Sequence, residues 1–350
     1  MAKPGKKILV TGGAGFIGSN FLHHLYKKYS TYELFNFDLL TYAGNTDNLL
    51  DIEKVESQRP VNKRRYYFIH RDICDFISVK QAFQKHKPDV VINFAAESHV
   101  DRSIIDSRYF FRTNVIGVHN LVDLVMKHKI PRFVQISSDE IYGDVLEGTS
   151  TESSPIRPSN PYSASKAAAD LLVQAHIRTH KLPAIIIRGS NNFGPYQYPE
   201  KLIPLAVTNL LENREIPIHG KGLQKRRWLH VGDFCRAIDM IMHKGRNFSI
   251  YNVAGIEMRN IDVVKEICKV LKKDYRKATY FIKDRPGGDM RYAPDDKKIK
   301  KELGWELKYP APDYIASVVK WYLDNTSWWK KVRRKKEFKI HYRKQYKSEY

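Results

Sequence analysis

The stretch Lys6-Lys-Ile-Leu-Val-Thr-Gly-Gly-Ala-Gly-Phe-Ile-Gly18 decides the fold. Its apolar run predicts a first strand, and Phe16 to Lys28 follows with the apolar spacing of a helix. Glycines at such a turn let backbone N–H groups approach a pyrophosphate at the positive end of the helix. Asp38 ends the next predicted strand, where a carboxylate accepts ribose hydroxyls and repels a 2′-phosphate. The pattern therefore predicts a dinucleotide-binding unit that prefers NAD to NADP.

Strand and helix patterns alternate through the first part of the chain. Further strands are predicted at 32–38, 66–70, 90–95, 132–137 and 184–188, and helices at 78–86, 109–129 and 164–180. Alternation of this kind is typical of an α/β fold, here a Rossmann-type doubly wound parallel sheet. We expect residues 1–198 to form the NAD-binding domain, which part of 228–252 rejoins. Residues 199–327, richer in Pro and Gly, should form a smaller mixed C-terminal substrate lobe, and 328–350 a basic tail.

Composition limits the classes of function. The chain has 350 residues, 42% of them hydrophobic, and a formal charge of +22. The positive charge is dispersed rather than gathered into a nucleic-acid-binding motif, so we expect at most non-specific polyanion contacts by the basic tail. We see no apolar run that could span a membrane and no signal peptide. Three scattered cysteines predict neither disulfides nor a metal site, which favours a cytoplasmic protein.

Two motifs carry candidate chemistry. Tyr162-Ser-Ala-Ser-Lys166 places a phenol and an ammonium on one face of a predicted helix, where the ammonium would lower the pKa of the phenol. Ser138-Asp139-Glu140 follows a buried strand and therefore emerges at the carboxyl edge of the sheet, where ligands bind. Two adjacent carboxyls there can serve as acid and base if their pKa values are pushed apart.

The chain resembles the dTDP-glucose 4,6-dehydratase family, within the extended short-chain dehydrogenase/reductase superfamily, from Lys7 to about Trp329. The stretches that carry the resemblance are Thr11 to Ser19, Leu40 to Gly44, Ala95 to Ser103, Ser137 to Gly143, Tyr162 to Lys166, Arg188 to Gln197, Pro199 to Pro204, Gly220 to Gln224 and Asp284 to Gly287. It implies a lyase that converts dTDP-glucose or UDP-glucose to the 4-keto-6-deoxy sugar nucleotide, as in deoxysugar (rhamnose) biosynthesis. It also implies internally recycled NAD and a homodimer built on helices 109–129 and 164–180.

Site residues follow from the motifs and the resemblance. Tyr162, with Lys166 and Ser138, would take the C4 hydroxyl proton while C4 passes hydride to NAD; Glu140 would remove the C5 proton and Asp139 protonate the leaving C6 hydroxyl. Cofactor contacts are expected from Gly12, Gly15, Phe16, Ile17, Gly18, Asp38, Asp72, Ile73, Ala95, Ala96, Tyr162 and Lys166. Contacts to the nucleotide sugar are expected from Ser98, Asp101, Ser103, Asn191, Lys201, Arg226 and Arg285, the first three lining the hexose.

Some alternatives stay open. A sugar-nucleotide epimerase or decarboxylase would share the glycine turn and Tyr162/Lys166, but epimerases typically lack the acid pair and decarboxylases tend to keep only the glutamate. A basic nucleic-acid-binding protein could use the fold as a scaffold, yet it would tend to lose the catalytic residues. Three positions depart from the family pattern: Ser138 for Thr, His219 for Tyr, and Arg227 for Asp. The last two leave the choice between thymine and uracil open.

Overall fold

The computed structural model describes residues 5–311 and 313–346. Their strands are β1 (Lys7–Thr11), β2 (Glu33–Asp38), β3 (Tyr66–His70), β4 (Val90–Asn93), β5 (Phe133–Ser138), β6 (Ala184–Gly189), β7 (Asn191–Phe193), β8 (Ile216–His219), β9 (Lys225–His230), β10 (Ser249–Val253), β11 (Ile256–Arg259) and β12 (Thr279–Ile282). The helices are α1 (Phe16–Lys28), α2 (Leu50–Ser57), α3 (Phe76–His86), α4 (Val100–Ile105), α5 (Arg108–Phe111), α6 (Val118–Lys127), α7 (Pro161–His180), α8 (Leu202–Leu211), α9 (Val231–Lys244), α10 (Asn260–Val270), α11 (Tyr275–Ala278), α12 (Lys297–Leu303), α13 (Ile315–Asp324), α14 (Thr326–Arg334) and α15 (Lys336–Tyr346). A π-helical segment, Arg112–Gly117, joins α5 to α6. No helix among these residues is long and apolar enough to cross a membrane.

A seven-stranded parallel sheet forms the centre of the larger lobe, in the order β10-β6-β5-β4-β1-β2-β3. Its strands are apolar on both faces because helices cover both sides, as is usual in parallel sheets. Helices α1 and α9 pack on one face, and α3, α6 and α7 pack on the other. The strand order reverses direction between β1 and β4, which opens a crevice at the carboxyl ends of the strands.

The smaller lobe is mixed. It contains the three-stranded sheet β11-β9-β7 and the two-stranded sheet β12-β8. Helices α8, α10 and α13 pack on these strands around a second apolar core that includes Trp228 and Tyr322. The segment between β9 and β11 returns to the larger lobe, where α9 packs on α1 and β10 pairs with β6.

The stretch expected to be a basic tail is part of the folded structure up to Tyr346, which corrects the expectation from sequence. Residues 326–346 form α14 and α15, and several of their apolar side chains are buried: Trp329, Val332 and Phe338 are each 1% exposed. Arg333 is buried too, and donates to Oγ1 of Thr208 and Oδ1 of Asn209. The many Lys and Arg residues made the apolar face of these helices hard to recognise in the sequence. In the structure the remaining Lys and Arg side chains point outward and the apolar face packs inward. Residues 347–350 of the tail lie outside the described residues.

Candidate active site

The glycine turn after β1 is closed tightly enough to need glycine. Gly12 has a φ of +70°, and a Cβ there would lie 2.5 Å from the backbone nitrogen of Ala95. A Cβ at Gly18 would lie 2.3 Å from the carbonyl oxygen of Gly12. The N-cap of α1 is Gly15, and none of the residues that the structure describes caps the first turn of this helix with its side chain. A helix N-terminus built in this way is suited to a pyrophosphate.

One cavity runs from this turn across the carboxyl ends of the strands. All the residues predicted to contact the cofactor line it: Gly12, Gly15, Phe16, Ile17, Gly18, Asp38, Asp72, Ile73, Ala95, Ala96, Tyr162 and Lys166. The carboxylate of Asp38 accepts from the backbone N–H groups of Ala14, at 2.9 Å, and Leu40, at 2.7 Å. Those bonds fix the carboxylate at the wall of the cavity. The lining fits NAD, with a glycine cradle for the pyrophosphate and an acid at the end of β2 for the ribose.

Tyr162 is positioned by the start of α7. Asn160 caps the helix in a capping box with Ser163, and Pro161 occupies the first helical position. The backbone nitrogen of Tyr162 also donates to the hydroxyl of Ser103, at 3.1 Å. These contacts hold the phenol at the inner end of the NAD-type cavity, 8% exposed.

Lys166 lies one turn further along α7 and is 6% exposed. Its Nζ donates to the carbonyl oxygen of Ile136 at 2.6 Å, and burial lowers its pKa to about 8. The pKa of Tyr162 is raised, first by burial and then by the charge of Glu140, while a hydrogen bond with Ser138 lowers it. The free protein therefore holds a protonated phenol, and the lower pKa expected from Lys166 is absent from this state.

The acid pair begins the turn that follows β5. Ser138 caps this turn by accepting from the backbone nitrogen of Glu140 at 3.2 Å. Asp139 is 2% exposed, and its Oδ2 has no hydrogen-bond partner among the described residues. Oε2 of Glu140 accepts from the hydroxyl of Tyr292 at 3.4 Å. Glu140 faces a second cavity, which meets the first at Gln197, Glu200 and Lys201.

The two carboxyls are electrostatically different. Burial raises the pKa of Asp139 well above its ordinary value, and the charge of Glu140 raises it further. Burial also raises the pKa of Glu140, but the positive charges of Arg226 and Lys201 oppose this. Asp139 is therefore the stronger candidate for the protonated partner and Glu140 for the ionised one, which is the division that acid–base chemistry needs.

The second cavity is polar, and its wall carries three cations, Lys201, Arg226 and Arg285, together with several acids. Five of the residues predicted for the nucleotide sugar line it: Asp101, Asn191, Lys201, Arg226 and Arg285. Oδ1 of Asn191 is buried there without a hydrogen-bond partner among the described residues, so it is available to a ligand. Arg226 stacks on the ring of Tyr292 with its guanidinium carbon 4.2 Å from the ring centre. The Nε of Arg285 lies 2.7 Å from Oδ1 of Asp101, so this guanidinium is anchored at the cavity wall.

The other two predicted hexose residues lie elsewhere. Ser103 lines neither cavity: its hydroxyl donates to the carbonyl of Val100 at 2.6 Å and accepts from Tyr162, so its observed contacts are structural. Ser98 lines the NAD-type cavity, and its carbonyl oxygen accepts from Nζ of Lys201 at 2.9 Å. Ser98 therefore supports the site by binding Lys201 through its backbone carbonyl, and Ser103 by contacting the first turn of α7.

Sequence reasoning missed several residues that shape the site. Tyr292 donates to Oδ2 of Asp289 at 2.6 Å and contacts Glu140. Its position shortly after the Asp284 to Gly287 motif is the signal in the sequence that points to it. Asn114, in the π-helical segment, joins the backbone of Glu97 to the hydroxyl of Ser165 in α7. No local pattern marks Asn114, because its partners come from two other segments.

Known proteins share this arrangement. The family model described as GDP-mannose 4,6 dehydratase matches residues 9–318. The chain belongs to this family. A dTDP-glucose 4,6-dehydratase from Shigella flexneri is 44% identical over 353 aligned positions, which cover 93% of this chain and 95% of the relative.

Solved structures agree with this family assignment. A dTDP-glucose 4,6-dehydratase from Bacillus anthracis, solved in complex with NAD, is 43% identical with a TM-score of 0.85 and covers 93% of this chain and 99% of its own. The enzyme of the same name from Streptomyces venezuelae, solved with NAD and a second ligand, is 40% identical with a TM-score of 0.87 and the same coverage. Members of the dehydratase family thus share nearly the whole fold of this chain.

Proposed function

We propose that this family member is an NAD-dependent nucleoside-diphosphate-glucose 4,6-dehydratase, a lyase that acts on dTDP-glucose or UDP-glucose. One observation carries the proposal: Glu140 and the adjacent, buried Asp139 both act electrostatically on Tyr162. Tyr162 lines the NAD-type cavity, and Glu140 lines the polar cavity that meets it. An epimerase needs the phenol and the cofactor but no acid and base for loss of water. The names of the relatives above support the same activity.

The position and the pKa shift of each catalytic residue indicate its role in the reaction. Tyr162, hydrogen-bonded to Ser138, accepts the proton of the C4 hydroxyl once the cofactor is bound. NAD supplies a reversible hydride acceptor and a positive charge beside the phenol. Glu140, kept more acidic by Arg226 and Lys201, removes the proton from C5 next to the new ketone. Asp139, whose pKa burial raises well above its ordinary value, donates its proton to the C6 hydroxyl as water leaves.

The cationic side chains of the second cavity suit the diphosphate. An arginine guanidinium can donate two hydrogen bonds to one phosphate group. Arg226 and Arg285 are both held at the cavity wall by contacts with neighbouring residues. Lys201 adds a third cation, and the unpaired amide oxygen of Asn191 can accept a hydrogen bond from a sugar hydroxyl or a nucleobase N–H. His219 also lines this cavity and borders the space available to a nucleobase.

Two further features support the expected architecture and assembly. We assign residues 5–190 with 231–253 to the NAD-binding domain and most of the remainder to the substrate lobe, because β10 and α9 pack with the large sheet whereas β7 pairs with β9. We assign a homodimer interface to the face of α4 to α7 that exposes large apolar side chains: Ile105 is 64% exposed, Tyr109 61%, Ile116 54% and Leu171 51%. Sedimentation at micromolar concentration checks the dimer.

Three free cysteines suit the reducing environment of the cytoplasm.

The acid pair provides the sharpest test. Wild-type protein incubated with dTDP-glucose or UDP-glucose should form a 4-keto product with alkali-sensitive absorbance and should incorporate solvent deuterium at C5. Glu140→Gln should lose product formation and C5 exchange together, because the base is gone. Asp139→Asn should slow elimination but retain more of the C5 exchange. Each loss should be about 10²–10⁴-fold, typical of one positioned acid or base.

Glu147→Gln is the matched control, because Glu147 is an exposed acid a few residues beyond the pair. It should turn over at the wild-type rate. Wild-type rates in both Glu140→Gln and Asp139→Asn would refute the dehydratase proposal. An interconverted C4 epimer in place of the 4-keto product would assign the site to epimerisation.

A further inference from the structure

A buried cluster of two histidines and one glutamate joins the substrate cavity to the C-terminal helix. His99 immediately precedes α4, Glu200 lies just before α8, and His341 belongs to α15. One nitrogen or oxygen from each residue lies within 4.8 Å of the other two. The three residues are 2%, 5% and 7% exposed, respectively. Three elements from distant parts of the chain thus bring metal-ligand atoms together in a nearly closed space.

The cluster does not satisfy its own polar atoms. Nδ1 of His99, Oε1 of Glu200 and Nε2 of His341 are buried without a hydrogen-bond partner among the described residues. Nε2 of His99 lies 3.9 Å from Oε1 of Glu200, too far for a hydrogen bond. The two imidazole rings meet edge to face with their centres 4.7 Å apart. Because buried polar atoms nearly always have a partner, this cluster has room for a ligand that the protein does not supply.

Nearby cations do not occupy the space. Arg102 approaches the other oxygen of Glu200, Oε2, at 3.3 Å. Lys201 donates to the carbonyl of Ser98, and Arg285 pairs with Asp101. Each of these side chains is thus held by an oxygen other than Oε1 of Glu200, for which the described part of the chain provides no hydrogen-bond partner. Asp101 and Glu200 also bring two carboxylates that offset part of the positive charge.

Burial favours the neutral form of both histidines. Burial lowers the pKa of His99 well below its ordinary value and that of His341 to about 4, and neighbouring cations add to the effect. Neutral imidazole is the species that binds metal. Two imidazole nitrogens and one carboxylate oxygen are a ligand set known for zinc, with a fourth position left for water or substrate.

We propose that His99, Glu200 and His341 bind one divalent ion of the zinc class. The ligand atoms would move closer by about 1 Å to reach zinc at roughly 2.0–2.2 Å each. The ion would link α15 to the segments before α4 and α8, and all three segments contribute residues to the wall of the substrate cavity. His341 lies beyond residues 9–318, so the part of the chain outside the family match completes the ligand set. This proposal does not depend on the proposed dehydratase activity.

The test uses the full-length protein with any purification tag removed and dialysed against a chelator. Zinc chloride is then titrated calorimetrically, and bound zinc is measured by mass spectrometry after gel filtration. We expect one zinc ion per chain. His341→Phe should weaken binding by more than about 100-fold, since even supporting residues around a metal contribute 10–100-fold. His128→Gln is the control, because its ring packs on Phe83 away from the cluster.

Cobalt(II) gives a second readout that does not depend on activity. Wild-type and His128→Gln proteins should show the visible absorption of four-coordinate cobalt, and zinc should raise their melting temperatures. Glu200→Gln should lose both effects while keeping the wild-type circular dichroism spectrum, so a folding defect in His341→Phe does not decide the outcome. No zinc bound to the wild type, or stoichiometric zinc in both His341→Phe and Glu200→Gln, would overturn the proposal.

Discussion

The buried ion pair between Asp170 and Arg188 offers a quantitative test of how the site is supported. Nε and Nη2 of Arg188 donate to the two oxygens of Asp170 at 3.0 and 2.9 Å, and Ser137 donates to Oδ2 at 2.7 Å. Asp170 is fully buried and Arg188 is 1% exposed. The pair joins α7, which carries Tyr162, to β6. Asp170→Asn leaves a buried guanidinium without its counter-charge, which typically costs about 3–5 kcal/mol.

That cost translates into a measurable melting shift. With an unfolding entropy of about 2.1 cal/mol/K per residue, a chain of this length should lose about 4–7 °C in melting temperature by calorimetry. Replacing both partners, as Asp170→Leu with Arg188→Met, should recover much of the loss because no uncompensated charge remains. Asp123→Asn, which removes an exposed pair with Lys127, should change stability by less than about 1 kcal/mol. An Asp170→Asn protein that melts within 1 °C of wild type would refute the reasoning.

Three other predictions concern cofactor, pH and the C-terminus. Purified protein should carry NAD and turn over without added cofactor; stoichiometric NAD consumption would indicate a simple dehydrogenase. Burial lowers the pKa of Lys166 to about 8 and the charge of Asp170 raises it, so activity that needs the ammonium should fall as pH rises through this value. Asp170→Asn should move that limb of the pH–rate profile to lower pH. Deletion from Lys330 onward should abolish activity, because it removes Phe338 from the core and Tyr346 from the cavity wall. It should also weaken salt-sensitive retention on heparin, because basic side chains are lost. Full activity in the truncated protein would show that α15 is dispensable.

Local sequence signals determined most of the larger lobe. The predicted helix Phe16 to Lys28 and strand Tyr66 to His70 match the observed elements at both ends. Periodicity, glycine at a strand–helix turn and a helix cap act over a few residues, so they can be read without knowing the fold. The same signals brought Gly12, Asp38 and Tyr162 to one cavity, since parallel strands present their carboxyl ends at one edge.

Tertiary packing determined which residues of the basic C-terminal segment are buried, and composition did not indicate this. Residues 328–346 appeared to be a basic tail, yet Trp329 and Phe338 are buried because their apolar partners lie in other segments. Spacing placed Lys166 on the same face as Tyr162, but only the fold shows its Nζ bound to the carbonyl of Ile136.

Chemical state and long-range contact were also decided by the fold. The sequence identified Asp139 and Glu140 as a pair, and burial together with the charges of Arg226 and Lys201 assigned them different pKa values. His99 and His341 are far apart in the chain, and no spacing rule connects them to Glu200. The sequence by itself determined which residues carry chemistry at the strand ends. Tertiary structure determined their protonation and partners, because solvent exclusion and electrostatic fields depend on segments that meet only after folding.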